Sequence, residues 1–135
     1  FVVPGRELAL QSQQVLESMR TGLRSMAVYG GRPTMEEHRK MREVRPQVVF
    51  GTPGRLNDHI DKGNLEAETV GVLVIDEYDK CLEMGFQAEM SRLVASLPAV
   101  RRKGHGPARG DKGRGGASLH AQCLEGCPRG GRFPP

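Results

Sequence analysis

Tryptophan is absent from these 135 residues, and phenylalanine and tyrosine together supply only six, four Phe and two Tyr. A chain so poor in rings has little material for stacking bases on aromatic platforms, and its core has to be built from Val, Leu, Ile and Met. No apolar run approaches the roughly 20 residues that a membrane span needs. No signal peptide is visible either, so no membrane association is expected. Cysteine is scarce: Cys81, Cys123 and Cys127 make an odd count without a disulfide framework, for which a reducing cytoplasm is the default. Most of the chain also lacks a net charge. Residues 1–102 hold 14 Lys and Arg against 14 Asp and Glu, whereas residues 103–135 hold 6 against 2, so the whole excess of +4 sits in the last segment. The basic balance therefore says nothing about the folded part, and nucleic-acid binding has to be argued from sites.

What is present is an alternation of short apolar strands and helices. Phe1-Val2-Val3 reads as the end of a buried strand, turned by Pro4-Gly5. Leu8, Val15, Leu16 and Met19 share one face of a helix from Arg6 to about Arg20, stopped by Gly22. Ser25 to Tyr29 is a second strand, ended by Gly30-Gly31. Thr34-Met35-Glu36-Glu37 has the form of a capping box opening a charged helix to about Glu43. Gln47 to Phe50 is a further strand, after which Thr52 caps a helix with Pro53 in its first turn and Gly63 at its end. Val70 to Ile75 is the last strand, followed by a helix-rich stretch to about Leu97. Strands that are apolar on both faces, alternating with helices, predict an α/β fold: a parallel sheet with helices on both faces. Residues 103–135 include 9 Gly and 4 Pro, show almost no apolar periodicity, and read as disordered. Two units are thus expected, residues 1–102 and 103–135.

In parallel sheets ligands bind beyond the carboxyl ends of the strands. Four features sit at such ends: Pro4 to Gln11, Gly30-Gly31, Thr52 to Arg55 and Asp76 to Asp79. An aliphatic strand releasing Asp76-Glu77 at its tip suits a Mg²⁺ site, with Asp76 holding the ion through a water and Glu77 placed to act on the water attacking a γ-phosphate. The pattern alone is equally met by an acidic turn in which Asp76 caps the next helix. Thr52-Pro53-Gly54-Arg55 offers free amides, a hydroxyl and a guanidinium to a phosphate, although an ordinary capped helix has the same composition. Gly30-Gly31 allows close backbone approach, as does any plain turn. Arg6 is placed to meet a phosphate, and Glu7 to pair with Arg55 across the sheet edge, the alternative being a solvated first turn.

Taken together, these segments resemble the DEAD-box family of ATP-dependent RNA helicases in order and approximate spacing. Pro4-Gly5-Arg6-Glu7-Leu8-Ala9-Leu10-Gln11 is similar to the family's Pro-Thr-Arg-Glu-Leu-Ala-x-Gln motif, and Gly30-Gly31 to its glycine doublet. Thr52-Pro53-Gly54-Arg55 matches its Thr-Pro-Gly-Arg motif. Asp76-Glu77-Tyr78-Asp79 stands where Asp-Glu-Ala-Asp is expected, followed by Met84-Gly85-Phe86. The resemblance covers residues 1 to about 102 and implies a partial RecA-like domain using ATP and Mg²⁺. It implies Asp76 as the Mg²⁺ contact, Glu77 as the residue acting on water, and Asp79 as a link from the ATP site to a later Ser-Ala-Thr motif. It also places Arg6, Gly31, Thr52, Gly54 and Arg55 at or next to an RNA backbone, which is read with little sequence specificity.

There are departures. Tyr78 replaces a small Ala, and Gly5 replaces a Thr hydroxyl. No Gly-x-x-x-x-Gly-Lys-Ser/Thr loop occurs in these residues, so nothing in them cradles the β- and γ-phosphates. The adenine-reading segment, the Ser-Ala-Thr motif and the second motor domain are likewise not found. The expectation is a fragment of a helicase, inactive alone and dependent on the remainder of the helicase core; the alternative is a non-enzymatic RNA-binding module. From about residue 103 the composition reads as out-of-frame translation of a GC-rich gene, with a basic RNA-binding tail as the rival. His120, Cys123 and Cys127 form no complete zinc set.

Overall fold

The computed structural model describes residues 1–97 and 102–105. Its helices are α1 (Arg6–Ser18), α2 (Thr34–Val44), α3 (Pro53–Asp61), α4 (Tyr78–Glu83) and α5 (Gln87–Ser96). Its strands are β1 (Ser25–Val28), β2 (Val48–Gly51), β3 (Val72–Ile75) and β4 (Arg102–His105). The pairs β1–β2 and β3–β4 are both parallel. The N-terminal segment joins them. Val2 donates to the Val74 carbonyl at 2.8 Å and accepts from the Asp76 amide at 2.9 Å, while Val3 donates to the Gly51 carbonyl and Gly51 to that of Phe1. Val2 thus bridges β2 and β3 in parallel, and the sheet runs β1, β2, N-terminal segment, β3, β4. The expected end of a buried strand at Phe1-Val2-Val3 is the middle of this sheet.

Successive side chains of a strand point to opposite faces, and the core divides accordingly. Val2, Met26, Val28, Leu73 and Ile75 pack on one face with Met41 of α2, Leu56 of α3, Cys81 of α4, and Met90 and Leu93 of α5. Val3, Tyr29 and Phe50 pack on the other with Ala9 of α1, flanked by Leu8 and Leu16. Helices cover both faces, so the α/β expectation holds. Gly51 is required by the first of these clusters, since a Cβ there would lie 2.7 Å from Leu56 Cγ and 2.8 Å from Val28 Cγ2.

Two local expectations change. α2 begins at Thr34 with Pro33 as its N-cap, and no side chain caps it. The capping box does not form because both of its side chains have tertiary partners: Thr34 Oγ1 donates to Asp58 Oδ2 at 3.1 Å, and Glu37 is buried against β1 and α3. The helix-rich stretch after β3 is two helices, separated at Gly85, whose φ is +81°. Strand β4 carries regular pairing to His105, past the change of composition at residue 102. The rest of the tail, including His120, Cys123 and Cys127, lies outside the described residues. Among the described residues no helix is long and apolar enough to cross a membrane.

Candidate functional site

Parallel register brings the four motif-bearing segments to one edge. Val28 is level with Gly51, the Thr52 amide donates to the Val28 carbonyl at 3.3 Å, and the Asp76 amide donates to Val2. Tyr29-Gly30, Thr52, Pro4 and Asp76 therefore leave their strands side by side. The order of the sheet puts Gly30-Gly31 and Thr52 to Arg55 on one flank of the N-terminal segment and Asp76 to Asp79 on the other.

At the acidic flank the chain makes a tight turn. Asp76 is exposed, and its Oδ1 accepts the Glu77 amide at 2.9 Å. Glu77 takes a left-handed conformation (φ 49°, ψ 50°) as the N-cap of α4, which costs a non-glycine residue on the order of 1 kcal/mol or more. Its Oε2 is buried without a hydrogen-bond partner, although Lys80 Nζ stands 3.3 Å away as an ion pair. Asp79 lies in the first turn of α4. Tyr78 finds room by packing against the core cluster beneath the sheet. Behind the turn, burial and then the charges of Glu77, Asp79 and Asp76 push the Cys81 thiol up from 9.0 to about 11. Among the described residues no group of three or more His, Cys, Asp or Glu gathers to enclose a metal ion. The exposed Asp76 carboxylate beside Glu77 suits a cation held through water, which would offset the crowded negative charge.

The other flank is held by a network absent from the sequence expectations. Glu37 and His59 are 4% and 0% exposed. Glu37 Oε1 accepts the Tyr29 amide at 3.1 Å, and Oε2 lies 2.7 Å from His59 Nε2. The Asn64 amide nitrogen is 3.1 Å from His59 Nδ1; in this orientation it donates, so Nε2 carries the proton toward Glu37.

Arg55 is tied to the same group. Its Nε donates to the Tyr29 carbonyl, Nη1 to Thr34 Oγ1 and Nη2 to the Arg32 carbonyl. Its carboxylate partners are Glu37 and Asp58, each at 3.5 Å. The expected pairing of Glu7 with Arg55 is therefore corrected: Glu7 is exposed in the first turn of α1, while Arg55, with its side chain 12% exposed, turns toward α2 and the glycine turn. Proximity in the sequence motif favoured Glu7. The side chains that reach Arg55 come instead from α2, opposite α3, and from α3 itself. Only a buried acid on an otherwise solvated helix face would have signalled Glu37, and its burial partner is 22 residues away.

Of the other expected residues, Gly31 is exposed at φ +89°, Gly54 is exposed in the first turn of α3, and Thr52 is half-buried as its N-cap. Arg6 is exposed, with its guanidinium carbon 5.0 Å from the centroid of the Tyr29 ring.

A parallel α/β sheet with an acidic strand tip and glycine and helix-start turns gathered at its carboxyl edge defines a RecA-like motor-domain core. The chain belongs to the DEAD/DEAH box helicase family, whose model matches residues 1–105. It is 39% identical over 105 residues to the ATP-dependent RNA helicase dbp3 of Schizosaccharomyces pombe, covering 76% of this chain and 18% of that protein. It is 38% identical over 103 residues to the ATP-dependent RNA helicase CshA of Listeria monocytogenes, covering 75% and 20%. The chain thus spans about a fifth of the length of these curated relatives. Among solved structures, a hypothetical ATP-dependent RNA helicase from Sulfolobus tokodaii superimposes with a TM-score of 0.69 at 31% identity, covering 77% of this chain and 32% of that one. Mss116p bound to ssRNA and AMP-PNP superimposes with a TM-score of 0.71 at 27% identity, covering 82% and 25%.

Proposed function

We propose that the chain is part of the first motor domain of an ATP-dependent RNA helicase that couples ATP hydrolysis to RNA unwinding or remodelling in the cytoplasm. The observation that carries this reading is the gathering of the four motif-bearing strand ends on one sheet edge, in a chain of the helicase family. Asp76 would hold Mg²⁺ through a water, and Glu77 and Asp79 complete the acidic flank. When bound, ATP would present the γ-phosphate to this flank and Mg²⁺ would offset its charge. Glu77, held by its left-handed turn with one oxygen unsatisfied, orients the attacking water and accepts its proton. Asp79 links this flank to a later Ser-Ala-Thr segment. Arg6, Gly31, Thr52 and Gly54 face the RNA backbone, with Arg55 next to it, through contacts that do not read sequence.

For the 135-residue chain alone we expect negligible phosphate release from ATP, because no phosphate-cradling loop is among its residues. Steady release abolished by Glu77→Gln would refute that expectation. In a longer form carrying such a loop ahead of Phe1, RNA-stimulated release that disappears in Glu77→Gln is the expected result. RNA binding without any hydrolysis in that form would favour a binding module instead. Binding of single-stranded RNA should weaken steeply with salt; affinity constant from low to high salt would count against backbone contacts.

A further inference from the structure

Two arginines converge on one ring at the glycine-turn flank. The guanidinium carbon of Arg6, in the first turn of α1, lies 5.0 Å from the Tyr29 centroid, and that of Arg32, immediately after Gly31, lies 5.1 Å from it. Tyr29 itself is 1% exposed, whereas both arginines are exposed. A guanidinium over a ring uses its face and leaves its in-plane N–H donors for an oxyanion. No carboxylate takes those donors, since neither arginine has an acidic partner among the ion pairs of the described residues. The backbone beneath Arg32 is fixed, because its carbonyl accepts from Arg55 Nη2 at 2.7 Å. The turn before it is open: nothing lies within 4 Å of where a Cβ of Gly31 would be.

We infer that Arg32 contacts the RNA backbone, forming with Arg6 a two-arginine phosphate clamp seated on Tyr29, while Arg55 positions the turn that carries Arg32. This rests on the RNA-binding reading above and adds to it a residue that no motif marks. Arg55 spends each of its nitrogens inside the protein; Arg32 spends only its carbonyl, so the two arginines have different readouts.

The test is a salt titration of the full chain against a labelled oligouridylate, followed by fluorescence anisotropy, with circular dichroism melts as the folding control. Arg32→Ala should weaken binding about 3- to 10-fold and reduce the slope of log affinity against log salt by about 0.7, as loss of one single-strand phosphate contact requires. Arg32→Gln, which keeps a polar stem over the ring, should lose the same slope, and Arg32→Lys should retain it. Arg42→Ala removes an equal charge from the exposed last turn of α2, outside the groove that Arg32 and Arg39 line together, and should leave the slope unchanged. A wild-type slope in both Arg32→Ala and Arg32→Gln overturns the clamp and leaves the RNA-binding reading standing. A wild-type chain with no salt-dependent RNA binding overturns both.

Discussion

Glu37 accepts the Tyr29 amide just after β1 and lies 2.7 Å from His59 Nε2 on α3, with the Arg55 guanidinium of α3 beside it as an ion pair at 3.5 Å. A buried carboxylate is tolerable only when so satisfied, and removing one member strands the others away from water. Glu37→Ala should therefore cost about 3–5 kcal/mol of unfolding free energy, whereas Glu37→Gln, whose amide oxygen still accepts from Tyr29 or His59, should cost less. Urea denaturation of the two variants checks this, and a loss below about 1 kcal/mol in Glu37→Ala would show that water replaces the carboxylate. Gly51 sets a second residue-scale limit. A methyl group there meets Leu56 Cγ and the stiff Val28 side chain at under 3 Å, so Gly51→Ala should destabilise by about 1–3 kcal/mol with an unchanged denaturant slope. An effect within experimental error would mean that Leu56 simply moves aside. Neither residue was legible in the sequence. Glu37 lies among Met35, Glu36, His38 and Arg39 and looks like the solvated side of a helix. Gly51 looks like the start of a turn, although it belongs to β2.

α3 shows what a whole element contributes. Its first turn faces the proposed RNA side through Thr52 and Gly54, its middle holds Arg55 and His59 against the glycine turn, and its last turn carries Asp58 and Lys62 as an ion pair at 3.1 Å. The Lys62 ammonium, donating to it, holds the Asp58 carboxyl below its ordinary value of 3.8, with smaller help from the Thr34 hydroxyl and Arg55 against partial desolvation. A depressed carboxylate contributes stability above its unfolded value and loses it as pH falls through the lower folded one. The Asp58 resonance in an NMR titration should therefore move below pH 3.8 in the wild type and shift upward in Lys62→Ala. An unchanged midpoint in that variant would remove Lys62 as the main cause. At this scale the sequence was informative. Apolar runs located β1, β2 and β3 to within a residue or two, whereas β4 falls across the start of the segment read as disordered. Arg102-Lys103-Gly104-His105 carries no apolar pattern and is a strand only through its pairing with β3. Thr52-Pro53 marked the start of α3 because a proline there loses no hydrogen bond. The division between α4 and α5 was not visible, since it depends on a left-handed Gly85 inside a stretch that is otherwise uniformly helix-forming.

For the molecule as a whole, the sheet is two strand pairs joined through three residues. Four backbone hydrogen bonds link Phe1, Val2 and Val3 to Gly51, Val74 and Asp76, and Val2 is fully buried between β2 and β3 while Val3 anchors the opposite face. The convergence of Thr52 and Asp76 on one edge depends on that segment, because β2 and β3 pair with it and not with each other. The sequence showed that Phe1-Val2-Val3 was strand-like and apolar, but its central place follows from pairing partners about 50 and 70 residues away, which no local pattern encodes. Deleting residues 1–3 should therefore do more than shorten an end. Unfolding should lose its single cooperative transition, because the β1–β2 half with α1 and the β3 half with α4 and α5 would no longer share a ladder. Hydrogen exchange of the intact chain should give the same picture from the other side, with the Val2, Gly51 and Asp76 amides among the slowest to exchange and the Met19 amide at the end of α1 among the fastest. A sharp, single melt in the deletion variant would show that the helices alone hold the halves together.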